Sequence, residues 1–260
     1  FDFFSEVPFG LTGYDMGAWI QLWGGLALWE QVGAEFGIKH LMCGCTGVQM
    51  GGWYRNPIRG FDDFKGLKMR LPGLGGEVLR ALGGEPVLLA AADIMPALEA
   101  GTLDATEWVG PWNDEALGIQ RLIKNYHYPG FHEPGTVMDL GISRTLWDSL
   151  SDAERALFEA CAGSEFEVTF ADFNANNGQA LGRLLNDHNV VLHAFPVEVY
   201  RRLGEVARDL LATLGQDPAA APIYQSYMDY RVYGVSWSKI SEQAYMAGRE
   251  LVRFHDTRGF

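Results

Sequence analysis

Basic residues are scarce in this sequence: 20 Lys and Arg stand against 33 Asp and Glu, for a formal charge of -13 at neutral pH. Affinity for nucleic acid or an anionic membrane surface comes from clustered Lys and Arg. No such cluster interrupts the acidic balance, so a nucleic-acid partner is excluded. Cysteine is nearly absent too. Cys43, Cys45 and Cys161 are an odd set, so any disulfide leaves one thiol over. Cys43 and Cys45 form a C-x-C without the second pair or nearby histidines that a zinc site requires, and they read as structural thiols. No apolar run reaches the ~18 residues of a membrane span. The opening FDFFSEVPFG has neither the charged nor the apolar region of a signal peptide, so the chain reads as soluble.

Catalytic signatures are equally sparse. There is no G-x-S-x-G nucleophile turn, and LPGLGG lacks the spacing of a nucleotide loop. Of His40, His127, His132, His188, His193 and His255, no pair has the i, i+4 spacing of a helical zinc site; His127 and His132 come nearest, five apart. Nothing assembles a triad or an acid/base dyad, which favours binding over catalysis.

What is present is apolar bulk and a repeated pattern. With 260 residues, 48% hydrophobic, the chain exceeds the size at which single cores divide, and two lobes are expected. From Tyr14 to Phe36, Trp19, Leu22, Trp23, Leu26 and Trp29 recur at helical spacing and predict a buried helix. Ile38 to Met42 reads as a strand, and GCTGVQMGGWYRNP as a hinge or ligand loop. Strands at 67–71, 86–89 and 104–109 then alternate with helices at 75–82 and 93–100, implying βαβ units and a mostly parallel sheet. After the turn-rich YHYPGFHEPG comes a strand over 136–143. Ser151 and Glu154 form a capping box opening a long helix to about His188. A strand at 190–195 and a helix at 197–214 follow. A last helix over 224–254 carries Tyr227, Tyr230, Tyr233, Trp237, Ile240 and Tyr245, a face that must be buried against this chain or a partner.

Parallel sheets bind ligands beyond the carboxyl ends of their strands. Arg70 ends the strand LKMR and leads through Pro72 into a helix, which suits a carboxylate; a surface pairing with Asp62 or Asp63 is the alternative. Glu107, with Trp108, interrupts an apolar strand, where a carboxylate is costly unless it meets a cation or donors. Gln49 offers an amide oxygen of the kind hard cations accept.

At Gln49, Arg70 and Glu107-Trp108 the chain resembles the solute-binding subunits of tripartite ATP-independent periplasmic (TRAP) transporters, in the branch that binds 2-oxo acids and lactate-like ligands. The stretches that carry the resemblance are TGVQMGGW at 46–53, FKGLKMRLPGLGGEVLRALGGEPV at 64–87, ALEAGTLDATEWVGPWND at 97–114 and YHYPGFHEPG at 126–135. The resemblance implies an extracytoplasmic α/β clamshell of two lobes, with mixed sheets flanked by helices and a long C-terminal helix. Lobe I takes residues 1–45 and 134–188, with its N-terminal part missing; lobe II takes 46–133 and 189–222; a helical tail takes 223–260. It further implies that Arg70 pairs with the ligand carboxylate, that Gln49, Glu107 and the Trp108 carbonyl hold a metal ion, Na+ or Ca2+, and that the partners are TRAP membrane subunits and a second copy of the chain. Cys45 stands where the family has Asn. A metal-dependent lyase or isomerase acting on a small acid, or a ligand-sensing module, would share the same residues, but the sequence offers a catalyst no general base beyond Glu107.

Overall fold

In the computed structural model, which describes residues 2–252, helices and strands alternate along most of the chain. The first stretch holds α1 (Asp2–Ser5), α2 (Gly13–Leu22), α3 (Gly25–Glu35) and β1 (Ile38–Cys45). Then come β2 (Gly52–Tyr54), β3 (Lys68–Arg70), α4 (Gly73–Ala81), β4 (Glu85–Val87), α5 (Ala91–Glu99), β5 (Ala105–Thr106), α6 (Pro111–Leu117) and β6 (Asn125–Tyr128). The remainder holds β7 (Val137–Ser143), α7 (Arg144–Ser149), α8 (Asp152–Asn186), β8 (Val191–Ala194), α9 (Val197–Leu214), α10 (Ala221–Ile240) and α11 (Glu242–Arg249). No helix among the described residues is long and apolar enough to cross a membrane.

Among the described residues the strands form two sheets. β1 and β7 pair antiparallel as a two-stranded sheet, and six strands take the order β4-β3-β5-β2-β6-β8. β3 is parallel to β4 and β5, and β6 to β8, but β2 runs antiparallel to both β5 and β6. The larger sheet is therefore mixed but mostly parallel, as expected: β2 alone runs against the other five strands. Trp53 and Tyr54 are successive residues of β2, so their side chains lie on opposite faces, and both are fully buried. Tyr54 packs with Met69, Leu79, Val199 and Leu203 on one face; Trp53 packs with Ile94, Leu98, Tyr126 and Leu184 on the other. A sheet covered on both faces needs strands apolar throughout, and GWY satisfies that.

α8 links the two sheets. Ser151 caps it as the sequence requires: its hydroxyl accepts from Glu154 N at 3.3 Å while the Glu154 carboxylate accepts from Ser151 N at 2.8 Å. Over 35 residues the helix spans roughly 50 Å. Ala162 and Phe166 near its start join cores built on β1 and β7, and Leu184 near its end joins the core under β2 and β6.

The structure departs from the sequence pattern in five places. The helix expected from Tyr14 to Phe36 is two helices, broken at Gly24, whose φ of +96° is a left-handed conformation that costs glycine little. The break turns Leu22 and Trp23 outward and leaves Trp19 and Trp29 in the core. β2 arises inside the glycine-rich passage expected to be loop. β6 takes the first residues of the stretch expected to be turns. The strand expected over 104–109 stops at Thr106. The last helix breaks at Ser241, and its expected final residues, Arg253 and Phe254, lie outside those described.

His127 on β6 is fully buried, and its Nε2 accepts a hydrogen bond from Ile58 N at 3.0 Å. Burial, with His193 stacked 5.1 Å away, depresses the imidazole from 6.5 to about 4. A base depressed by folding adds stability that is complete above pH 6.5 and is lost as pH falls through about 4. Chemical denaturation across that window should show wild type losing up to about 3 kcal/mol relative to His127→Gln, with no relative change above pH 7.

Candidate functional site

Register places the central pair. Arg70, the last residue of β3, lies opposite Thr106 on the parallel neighbour β5, and Glu107 N donates to Arg70 O at 3.2 Å. Both side chains thus emerge at the carboxyl ends of adjacent parallel strands, where the Arg70 guanidinium forms an ion pair with Glu107 Oε1. Arg70 Nε also donates to Leu89 O at 3.3 Å, and the guanidinium sits 5.1 Å from the centre of the Trp108 ring. The alternative surface pairing is absent: Asp62 pairs with Lys65, and Asp63 accepts from Arg59 N and Gly60 N.

Glu107 is 1% exposed, and burial pushes its carboxyl up to about 8 even though Arg70 opposes the shift. Its Oε2 has no hydrogen-bond partner and lies 3.6 Å from His132 Nε2. His132 is buried, which holds its imidazole below the usual range, and neither ring nitrogen is hydrogen-bonded. Glu133 is raised to about 8 as well, first by burial and then by Glu107. Burial also raises Glu6, which interacts with His132.

Gln49 reaches this cluster through Thr136. The Gln49 amide donates to Thr136 Oγ1 at 3.0 Å, and that hydroxyl donates to Glu133 Oε2 at 3.0 Å. With its nitrogen engaged there and at Thr46, the Gln49 Oε1 is buried and without a partner. Backbone contacts set the loop: Gln49 N donates to Glu133 O, and Gly130 N donates to Gln49 O, each at 3.1 Å. A Cβ at residue 130 would fall 2.3 Å from Gln49 O, so only glycine permits this approach. On the other side, buried Asp114 accepts from Val109 N, Trp53 Nε1 and Tyr126 OH, which holds the segment after Glu107 against β2 and β6.

The residues singled out in the sequence thus meet: Arg70, Glu107 and Trp108 directly, and Gln49 by way of Thr136. The unpartnered acceptors Glu107 Oε2 and Gln49 Oε1 are a carboxylate and an amide oxygen, ligand types suited to a hard cation. Sequence reasoning missed His132, Glu133 and Thr136; the available signal was an adjacent His-Glu doublet in FHEPG. All three cysteines are free thiols, and Cys45 is buried with its Sγ accepting from Gly47 N at 3.4 Å.

The monocarboxylate 2-oxoacid-binding periplasmic protein of Nostoc sp. (strain PCC 7120) is 34% identical over 244 residues, which cover 94% of this chain and 67% of that protein. A TRAP transporter solute-binding protein from Bordetella bronchiseptica RB50, solved as a mixed-occupancy dimer with copurified calcium and picolinate, superposes with a TM-score of 0.93 at 33% identity, covering 96% of this chain and 74% of that one. A TRAP periplasmic solute-binding protein from Pseudoalteromonas atlantica T6c, with bound sodium and pyruvate, gives 0.90 at 35% identity over 94% of this chain and 75% of that one. The model of the bacterial extracellular solute-binding protein family 7 matches residues 2–214. With these matches, the chain belongs to the bacterial extracellular solute-binding protein family 7.

Proposed function

We propose that this protein captures a small 2-oxo or 2-hydroxy monocarboxylate, pyruvate- or lactate-like, together with Na+ or Ca2+ outside the cytoplasmic membrane, and delivers it to the membrane subunits of a TRAP transporter. Family members bind solutes and do not convert them, which sets the lyase or isomerase reading aside. The observation that carries the proposal is the buried Arg70–Glu107 pair flanked by acceptors without donors. The sodium and pyruvate of the Pseudoalteromonas protein, and the calcium and picolinate of the Bordetella protein, are ligands of the classes this site suits.

The chemistry follows from an exchange of partners. Arg70 leaves Glu107 and turns its planar fork to the carboxylate of the acid, the geometry for which guanidinium is better suited than ammonium. Glu107, so released, keeps its charge only if a cation replaces the guanidinium, because its surroundings are dry. Gln49 Oε1 and the Trp108 carbonyl add neutral oxygens beside it. When bound, the cation supplies positive charge to Glu107 and an electrophilic contact for the oxygens of the acid. Neither acid nor ion alone leaves both Arg70 and Glu107 partnered, so the two bind as a unit and their coupling is reciprocal.

In this reading β1 and β7 mark lobe I (1–45 and 134–188), the six-stranded sheet marks lobe II (46–133 and 189–222), and residues 223–260 are a tail. The tail supports a homodimer. Tyr227 is buried in the core of this chain, but Tyr233, Trp237, Ile240 and Tyr245 are 64–70% exposed, a row of large apolar groups that a monomer rarely leaves open.

Calorimetric titration of pyruvate into metal-stripped protein should show weak binding alone and tight binding with Na+ or Ca2+; equal affinities in all three conditions would refute the coupled site. Arg70→Lys should weaken pyruvate binding about 10- to 100-fold with charge retained, through loss of the bidentate fork. For the dimer, light scattering should give twice the chain mass for wild type and a single chain for Trp237→Asp with Ile240→Asp. A wild-type monomer would remove the tail as an interface.

A further inference from the structure

A second concavity lies between α9 and α10 and shares no lining residue with the Arg70–Glu107 site. The two helices are joined by a short turn, where Gly215 lies so close to Tyr224 that a Cβ would fall 2.5 Å from its ring. From that turn they run back side by side. Leu211 and Tyr224 therefore lie toward one end of the cavity, and Arg208 and Arg231 toward the other. The turn from Val7 to Gly10, closed by Gly10 N donating to Val7 O at 2.8 Å, forms the third wall. The enclosed volume is about 310 Å3, at the lower end of small-molecule sites. Phe9 in this wall has a φ of +55°, a conformation that residues with a Cβ rarely adopt. Both its backbone groups are fixed there: its N donates to Phe131 O at 2.8 Å, and its O accepts from Arg231 Nη2 at 2.9 Å.

The lining holds two guanidiniums and no carboxylate, in a chain of net charge -13. Arg231 spends one N–H on Phe9 O and keeps others. Arg208 pairs with Asp209, but both side chains are mostly exposed, so water weakens that pair. Asp15, the carboxylate that acts on Tyr227, is occupied by the backbone and hydroxyl of Thr12. Tyr227 adds a third donor. It is fully buried, its oxygen accepts from Leu11 N at 2.7 Å, and its own proton meets no acceptor among the described residues. Burial raises the phenol, so that proton stays in place. Tyr227 and Arg231 stand four apart on α10 and share a face. A buried hydroxyl proton in need of an acceptor beside a guanidinium is a donor set suited to a carboxylate.

We propose that this cavity is a second ligand site, which takes a monocarboxylate with an aromatic body. The carboxylate lies on Arg231 and the Tyr227 hydroxyl, with Arg208 adding positive charge at the mouth. The ring lies among Leu211, Tyr224 and Met228, where an aromatic neighbour and a thioether favour a π face over an alkyl chain. Neither a cation nor Arg70 takes part, so the site is independent of the function proposed above.

The test is calorimetric titration of 3-phenylpropionate into the full chain in excess pyruvate and Ca2+. One equivalent should bind without displacing pyruvate, and the neutral 3-phenylpropanamide should bind far more weakly. Arg231→Gln should weaken the acid about 10- to 100-fold. Arg208→Gln, at an exposed position, should weaken it about 3- to 5-fold, and Arg201→Gln on the same helix should leave it unchanged. Absence of binding to wild type overturns the proposal, as does an amide that binds as tightly as the acid. Should Arg231→Gln fail to fold, Arg208→Gln and the amide decide. Arg70→Lys separates the two sites: 3-phenylpropionate should bind it as it binds wild type, whatever becomes of pyruvate. Loss of 3-phenylpropionate binding in Arg70→Lys would put the acid in the first site and overturn the second.

Discussion

A buried ion pair between Arg70 and Glu107 organises this molecule. The guanidinium brings positive charge to a compartment that also contains Glu6, Glu107 and Glu133, in a chain whose net charge is -13. A protein of that charge repels carboxylates at long range, so its affinity for an organic acid must be local. Burial makes the local field effective, since with Glu107 1% exposed the pair is screened far less than one at the surface. Burial also makes the pair sensitive to loss of either partner, because the charge left behind would be unpaired in a dry environment.

The scaffold around the pair explains why these two residues can be held dry. β3 and β5 are short, three and two residues, with Arg70 closing the first and Glu107 following the second. β2 beside them carries Trp53 and Tyr54 into cores on opposite faces, which seals the sheet above and below the site. Asp114 joins Trp53, Tyr126 and the backbone at Val109 in one buried network, so the segment bearing Glu107 and Trp108 cannot shift without leaving polar groups unpaired. α8 packs on both sheets and ties them together.

The loop from Gly130 to Thr136 adds a second layer. Its backbone hooks the Gln49 loop, while His132, Glu133 and Thr136 enter the interior beside Glu107. One turn therefore sets both the position of the Gln49 amide and the charge behind the central carboxylate.

Much of this was legible in the sequence. The capping box at Ser151, the alternation of strands and helices from 67 to 109, and the candidacy of Arg70 and Glu107 rest on local signals: a side-chain cap, hydrophobic period, and titratable groups at the ends of apolar runs; the candidacy of Gln49 and Trp108 rests on the resemblance to a known family. The tertiary structure decided the rest. Glycines in MGGWY argue for a loop, and only pairing with β5 and β6 on either side makes Gly52–Tyr54 a central strand. The exposure of Trp23 depends on the left-handed turn at Gly24, which periodicity cannot register. His132 and Glu133 look like loop residues because nothing near them in sequence shows that Glu107, Glu6 and Gln49 will surround them. Their burial, and hence their chemistry, is a property of contacts between distant segments, and that information exists only once the chain has folded.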